Sequence, residues 1–223
     1  MALCTSRVDV AIIGAGISGL ACAAKLQAKY SVAVLEARQR IGGRLLSHHG
    51  VDLGASWSWP PNDARVGALS RSLSIAAIGQ RLDGEAFHSA GGKAQPVGNV
   101  GSQMAPCGPG AVRFTGGYSA LPRALADNLP DGSLMTGCRV VSVTKSADGI
   151  QLAYEQAGGG GLQYIDARRV VVALPPGVSA ASMSFDPPLP PAQQRKMATT
   201  ATVRGWRSSS VPSHPPAPPA LRR

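Results

Sequence analysis

The stretch VDVAIIGAGISGLACAAKLQAKYSVAVLE, Val8 to Glu36, reads as a strand, a glycine turn, a helix and a second strand. Asp9 to Ile13 is a short, mostly apolar run that stops at Gly14, the pattern of a buried parallel strand. Gly14, Ala15, Gly16, Ile17, Ser18 and Gly19 then spell GxGxxG. The first glycine permits the tight turn, the second lets backbone N–H groups approach a pyrophosphate, and the third lets the helix pack closely on the strand. An apolar small-residue helix is predicted from Ile17 to Ala28, with the stripe Leu20, Ala23, Ala24 and Leu26. Its positive N-terminus suits the phosphates. Ser31 to Leu35 is the second strand, and it delivers Glu36 22 residues beyond Gly14, where a carboxylate binds ribose hydroxyls. Glycines, flanking strands and acid agree on a dinucleotide site, against the plainer alternative of a glycine-rich turn.

Composition bounds the rest. A chain of 223 residues, 44% hydrophobic and 15% charged, fits an α/β protein with a real core. Its 27 glycines and 18 prolines follow no fixed period, which excludes collagen-like and repeat architectures. The net charge of +10 raises the question of a nucleic acid or an anionic membrane. Four of those charges, Arg204, Arg207, Arg222 and Arg223, lie in residues 203–223, and the others are scattered without an aromatic-interleaved stripe. A solvated basic surface is the reading, with no nucleic-acid partner. Cys4, Cys22, Cys107 and Cys138 have neither CxxC nor zinc spacing and are read as free thiols of a reducing compartment. No signal-peptide pattern precedes the first strand, and no apolar run approaches the roughly 18 to 20 residues of a membrane helix. A cytoplasmic protein without a membrane partner is expected.

Directly after Glu36 come Ala37, Arg38, Gln39, Arg40, Ile41, Gly42, Gly43 and Arg44. Two arginines bracketing a glycine pair bring a guanidinium and bare backbone N–H groups to a pyrophosphate from the side opposite the helix; the alternative is an ordinary basic turn. LEARQRIGGR after a GxGxxG unit resembles the flavin-containing amine oxidase family, which includes monoamine and polyamine oxidases. Val51, Asp52, Leu53, Gly54, Ala55, Ser56 and Trp57 look like that family's DLGxxW-type segment, which lies beside the flavin ring system. The resemblance implies FAD, with Gly14, Ala15, Gly16, Ile17, Ser18, Gly19, Glu36, Ala37, Arg38, Gly42, Gly43, Arg44, Gly54, Ala55, Ser56 and Trp57 among its contacts. From the residues alone, Gly54 and Ala55 say only that something approaches the backbone closely, and Trp57 and Trp59 read equally as core. His48 and His49 read as a solvated hairpin pair, since no third ligand stands at a recognisable spacing, and no metal is expected.

Pro60, Pro61, Asn62 and Asp63 make a stop and a helix start, with Asp63 or Asn62 as N-cap and Val66, Leu69, Leu73 and Ile75 on the apolar face that follows. Gln80 to Gly110 is polar and glycine-rich, read as an insertion of short strands that the resemblance assigns to a compact substrate domain. Phe114 to Gly117 lead into a helix from about Ser119 to Asn128, with Leu121, Leu125 and Leu129 on one face. RVVSVT (139–144) and GIQLAY (149–154) flank Asp148–Gly149, a hairpin signal. The resemblance makes Val140 the residue whose backbone pairs with adenine. Leu162 to Ala167 is read as one strand and Arg168 to Leu174 as another, buried and returning to the central sheet, ended by Pro175 and Pro176. Phe185 with Pro187 to Pro191 resembles the family's FxPPLP element, and Ala192 to Ala198 is expected as a short helix.

The resemblance runs from about Val8 to Thr202. Residues 203–223 are Arg, Ser, Pro and Ala without hydrophobic periodicity, a composition that predicts disorder. A truncated or frame-shifted reading of a longer gene would account for this tail; a proline-rich ligand is the rival. The expected architecture is an α/β, Rossmann-like FAD-binding domain with a small β-rich insertion, apparently truncated at the C-terminus. Its parts are 1–78 and 113–202 for the cofactor, 79–112 for the insertion and 203–223 for the tail. No GxSxG, HExxH or GxxxxGK pattern is present, so a cofactor must carry the reaction. The resemblance implies an FAD-dependent oxidoreductase acting on a small-molecule amine, with no residue assigned a catalytic role. The chain as given is expected to turn over amines poorly even when it holds FAD. The alternatives are a non-catalytic FAD-binding fragment, a related flavin-dependent desaturase and, third, an NAD-dependent dehydrogenase.

Overall fold

The computed structural model describes residues 7–60, 62–79, 83–99 and 110–200. From the N-terminus, β1 (Arg7–Ile13) leads through the glycine turn into α1 (Ile17–Leu26) and β2 (Val32–Glu36). A short hairpin of β3 (Ser47–His48) and β4 (Val51–Asp52) follows, then α2 (Ala64–Ser72), β5 (Ala77–Gly79) and the hairpin of β6 (Glu85–Ala90) and β7 (Lys93–Asn99). Next come β8 (Val112–Phe114), α3 (Ala120–Asp127) and β9 (Leu134–Thr136). The C-terminal part is a meander of β10 (Cys138–Ser146), β11 (Gly149–Gln156) and β12 (Leu162–Val172), then α4 (Pro176–Ser182), β13 (Ser184–Asp186) and α5 (Pro191–Thr199).

One seven-stranded sheet, in the order β13-β10-β11-β12-β1-β2-β9, carries the fold. The strands β9, β2, β1 and β12 are parallel, and the meander β10–β11–β12 is antiparallel. Side chains alternate across β1 and β2, and this sorts the core into two layers. Val10, Ile12, Val32 and Val34 pack with Leu20 and Ala23 of α1 and Leu125 beyond them, while Ala11, Ile13, Ala33 and Leu35 pack with Val140, Leu152, Tyr154 and Ile165 of the meander. Helices therefore cover one face of the parallel strands and the meander covers the other, so both faces of β1 and β2 are dry. At the entrance, Asp9 and Ser31 hold the starts of β1 and β2 together through reciprocal backbone and side-chain hydrogen bonds. Those bonds, the backbone one first, hold the Asp9 carboxyl below the usual carboxylate range.

Several sequence expectations are corrected. The two expected strands, Leu162–Ala167 and Arg168–Leu174, are a single strand that ends at Val172, because β12 pairs with β11 up to Ala167 and with β1 from Asp166 onward, so the chain passes straight from the meander into the parallel sheet. Its second half is not fully buried: Arg168, Arg169 and Val172 are exposed, since past Ala167 only β1 flanks it among the described residues. Asp63 does stand at the N-cap of α2, but its carboxylate caps nothing; it accepts the Ser58 hydroxyl at 3.2 Å and the Trp59 N–H at 2.9 Å. The β10–β11 hairpin turns at Ala147–Asp148, and Gly149 already pairs with Ser146. Within Gln80–Gly110 the described part is the β6–β7 hairpin, and residues 80–82 and 100–109 lie outside the described residues, as does the tail 203–223. The helix 120–127 matches its expectation, with Leu121 and Leu125 buried and Leu129 beside them.

Candidate functional site

The site is built at the C-terminal ends of β1 and β2. Gly14 ends β1 with φ +105°, a left-handed conformation, and a Cβ there would lie 2.6 Å from Leu174 Cδ2. Gly19 solves a different problem. A Cβ on it would sit 2.0 Å from the Gly14 carbonyl oxygen, so only glycine lets α1 lie this close to β1. Gly16 is the contrast: a Cβ there would meet no protein atom within 4 Å. Among the described residues nothing requires glycine there, and the space in front of it is open.

Glu36 supports the turn from below. It is 7% exposed, Oε2 accepts the Ala15 N–H at 2.9 Å and Oε1 accepts the Arg38 N–H at 3.0 Å. Each carboxylate oxygen keeps a further lone pair that can accept another hydrogen bond. The second glycine turn closes on the first: the Gly42 N–H donates to the Ala15 carbonyl at 2.8 Å, and Gly16 and Gly42 form a bridge. Gly43, at φ +59°, packs so that its Cβ would lie 3.3 Å from Gly16 Cα. Two bare glycine backbones thus face one small space. Arg40 is not directed there. Its Nη1 donates to the carbonyls of Ile41 and Gly43 at 3.3 and 3.0 Å, which makes it a brace of the turn, while Ala37, Arg38 and Arg44 are exposed around it.

The Gly54–Trp57 segment joins this cradle through Gly54, whose Cβ would lie 2.1 Å from the Arg44 carbonyl oxygen. Ala55 is exposed and Ser56 and Trp57 are half-buried. Val140 arrives from the meander. Glu36 stands in register with Thr136 on β9, and the Gly137 N–H donates to the Arg38 carbonyl at 2.9 Å, so the chain enters β10 beside the end of β2. β13 pairs with β10 only at Ser142–Thr144, which leaves the edge at Arg139–Val141 without a strand neighbour on that side among the described residues. These contacts link the two glycine turns with Glu36, Arg38, Arg44 and Gly54, while Val140 lies three residues beyond Gly137 and pairs with Tyr154.

Sequence reasoning missed Tyr118. Its ring is 6% exposed and packs edge-on to Phe114 with centroids 5.0 Å apart. Its N–H donates to both oxygens of Asp52, at 3.0 and 3.1 Å, and its hydroxyl donates to the Trp57 carbonyl at 2.9 Å. Burial is the main reason its phenol is pushed above the usual range, with the Asp63 and Asp52 carboxylates adding to the shift and the Ser58 hydroxyl opposing it. The signal available was an aromatic residue placed directly after Gly116–Gly117. His48 and His49 are exposed on the β3–β4 hairpin with their rings 4.1 Å apart. Among the described residues no group of three His, Cys, Asp or Glu side chains could hold a metal ion, and no helix is long and apolar enough to cross a membrane. A groove of about 450 Å³ lined by Met183, Phe185, Leu189 and Met197 shares no residue with the glycine turns.

Fold and site together define an α/β protein with a Rossmann-like sheet, at whose strand ends two glycine turns meet. Residues 12–73 match the model of the NAD(P)-binding Rossmann-like domain, and residues 97–205 match that of flavin containing amine oxidoreductase. The chain is 53% identical over 54 residues to a probable polyamine oxidase 4 of Arabidopsis thaliana, covering 22% of this chain and 11% of that protein. It is 38% identical over 95 residues to the flavin-containing amine oxidase A of Bos taurus, covering 40% and 18%. Among solved structures, putrescine oxidase in complex with putrescine has a TM-score of 0.69 at 21% identity, covering 86% of this chain and 63% of that one. Cyclohexylamine oxidase from Brevibacterium oxydans has a TM-score of 0.67 at 18% identity with the same coverage. The chain is thus similar to the flavin-containing amine oxidoreductases over part of its length, a likeness that implies FAD as cofactor. Its alignments span about a tenth to a fifth of the length of the curated relatives that it matches.

Proposed function

We propose that this chain forms the FAD-holding part of an amine-oxidising flavoenzyme. The observation that carries the reading is the paired cradle: Gly16, open where a Cβ would project, faces Gly43 across a bridge that joins the two glycine turns, with the Glu36 carboxylate beneath. The cradle suits a pyrophosphate, since bare backbone and the N-terminus of α1 meet there. Glu36 would receive the ribose hydroxyls, Arg38 and Arg44 would supply exposed guanidinium groups, and the open edge of β10 at Val140 would offer backbone groups to adenine. Gly54, Ala55, Ser56 and Trp57 would form the wall against the ring system.

The chemistry that FAD supplies when bound is oxidation of an amine: hydride removal from the amine-bearing carbon, hydrolysis of the resulting imine and return of the electrons to O₂. The residues of this chain bind and orient; none is assigned as acid or base for the reaction. Holding reactants in alignment is itself a large part of such a barrier, on the order of 7 to 11 kcal/mol at best. An amine as substrate rests on what the relatives' names state, and a reducing, cytoplasmic setting on the free thiols of Cys22 and Cys138.

The test is reconstitution of the purified chain with FAD or NAD, followed by removal of free ligand. Retained flavin absorbance with no NAD retention is the expected result; NAD retention without flavin would reverse the assignment.

A further inference from the structure

We propose that Tyr118 is a positioning residue, which grips the Asp52–Trp57 segment at both ends and so fixes the wall that segment presents to the cofactor. The proposal rests on the FAD-binding reading above. At the start of the segment, the Asp52 carboxylate accepts the Tyr118 N–H and the Ser47 hydroxyl. The approach is close enough to need glycine next door, since a Cβ on Gly117 would lie 2.7 Å from Asp52 Oδ1. At the far end the Tyr118 hydroxyl donates to the Trp57 carbonyl. One residue therefore closes a span whose middle, Leu53 to Ala55, is exposed and available to a ligand.

The residues around the segment are tied down by hydrogen bonds and packing. Ser58 exchanges both backbone hydrogen bonds with Val112, and Asp63 holds the Ser58 hydroxyl and the Trp59 N–H. Phe114, Tyr118 and Leu121 pack with Val66 and Leu69 of α2 and with Leu73 at its end, which ties the clamp to the body of the fold. Tyr118 contacts no reacting atom in this account. It acts through Trp57 and Asp52, and a segment held by locked neighbours is the condition for a precise binding wall.

Tyr118→Phe removes the hydroxyl and keeps the ring, and Phe114→Leu loosens the same aromatic pair but keeps the hydroxyl. Amide hydrogen exchange of the 223-residue chain without FAD, read on peptides covering 53–58 and on β1 and β2, is compared with FAD affinity for wild type and both variants. Loss of one hydrogen bond predicts exchange about fivefold faster at 53–58 in Tyr118→Phe, with β1 and β2 unchanged. FAD affinity should weaken by a similar factor, and Phe114→Leu should not reproduce this localised pattern. Unchanged exchange in Tyr118→Phe, equal acceleration in Phe114→Leu, or faster exchange with undiminished FAD affinity would each overturn the proposal. A wild-type chain that binds no FAD would remove its premise and overturn it too, whereas the exchange result alone reports on the clamp.

Discussion

Glu36 Oε2 accepts the backbone N–H of Ala15 at 2.9 Å, so the acid at the end of β2 is fastened to the glycine turn that ends β1. The carboxylate has two tasks, because its other oxygen holds the Arg38 N–H. An amide has one acceptor oxygen and a donor group in place of the other.

Glu36→Gln should therefore leave one of these N–H groups facing an NH₂ group. The expected cost is about 1 to 3 kcal/mol of stability, together with weaker FAD binding through the adenosine half. Chemical denaturation and FAD titration of the variant check both. Loss of affinity with unchanged stability would mean that the hydrogen bonds to Ala15 and Arg38 contribute little.

Gly19→Ala should damage the fold itself. Its Cβ would lie 2.0 Å from the Gly14 carbonyl oxygen, and backbone on both sides has to move to relieve it. A loss of about 1 to 3 kcal/mol or more is expected, read as a lowered unfolding midpoint with or without FAD. A midpoint equal to wild type would contradict the close helix–strand approach described here.

Tyr118 and Tyr154 should ionise late. Burial raises both phenols above the usual range, for Tyr154 with the Cys138 thiol adding to it. A raised pKa in the folded state contributes stability that is fully present below the ordinary phenol range near 10 and is lost as pH rises through the folded value. Ultraviolet titration should show a late phase that shrinks in Tyr118→Phe and again in Tyr154→Phe. A single early transition in wild type would contradict the burial of both rings.

The βαβ core was legible because each signal reported on local geometry. The continuous apolar runs of β1 and β2, the three glycines and Glu36 all refer to contacts between residues near in sequence or forced together by the parallel pair. What sequence left hidden depends on partners far along the chain. Nothing in RVVVAL says that it continues the strand from Leu162, because pairing with β11 and with β1 overlaps only at Asp166 and Ala167. Arg40 and Arg44 look alike in sequence, yet Arg40 is turned back onto the carbonyls of Ile41 and Gly43. Tyr118 is 61 residues from the carbonyl that it holds, and Asp63 spends its carboxylate on Ser58 and Trp59 although its position marks it as a cap.

Gly16→Val tests the central claim most directly, because the place of its Cβ is open in the protein and a bound pyrophosphate would exclude it. Among the described residues no atom beyond its chain neighbours lies within 4 Å of the Cβ position, and the change at an N-cap costs about 1 kcal/mol. The measurement is flavin retained per chain after removal of free FAD, alongside the unfolding midpoint without FAD. The account predicts retained flavin in wild type and none in Gly16→Val, at nearly equal midpoints. Equal flavin retention by the two proteins would contradict the cradle between Gly16 and Gly43 as the cofactor site.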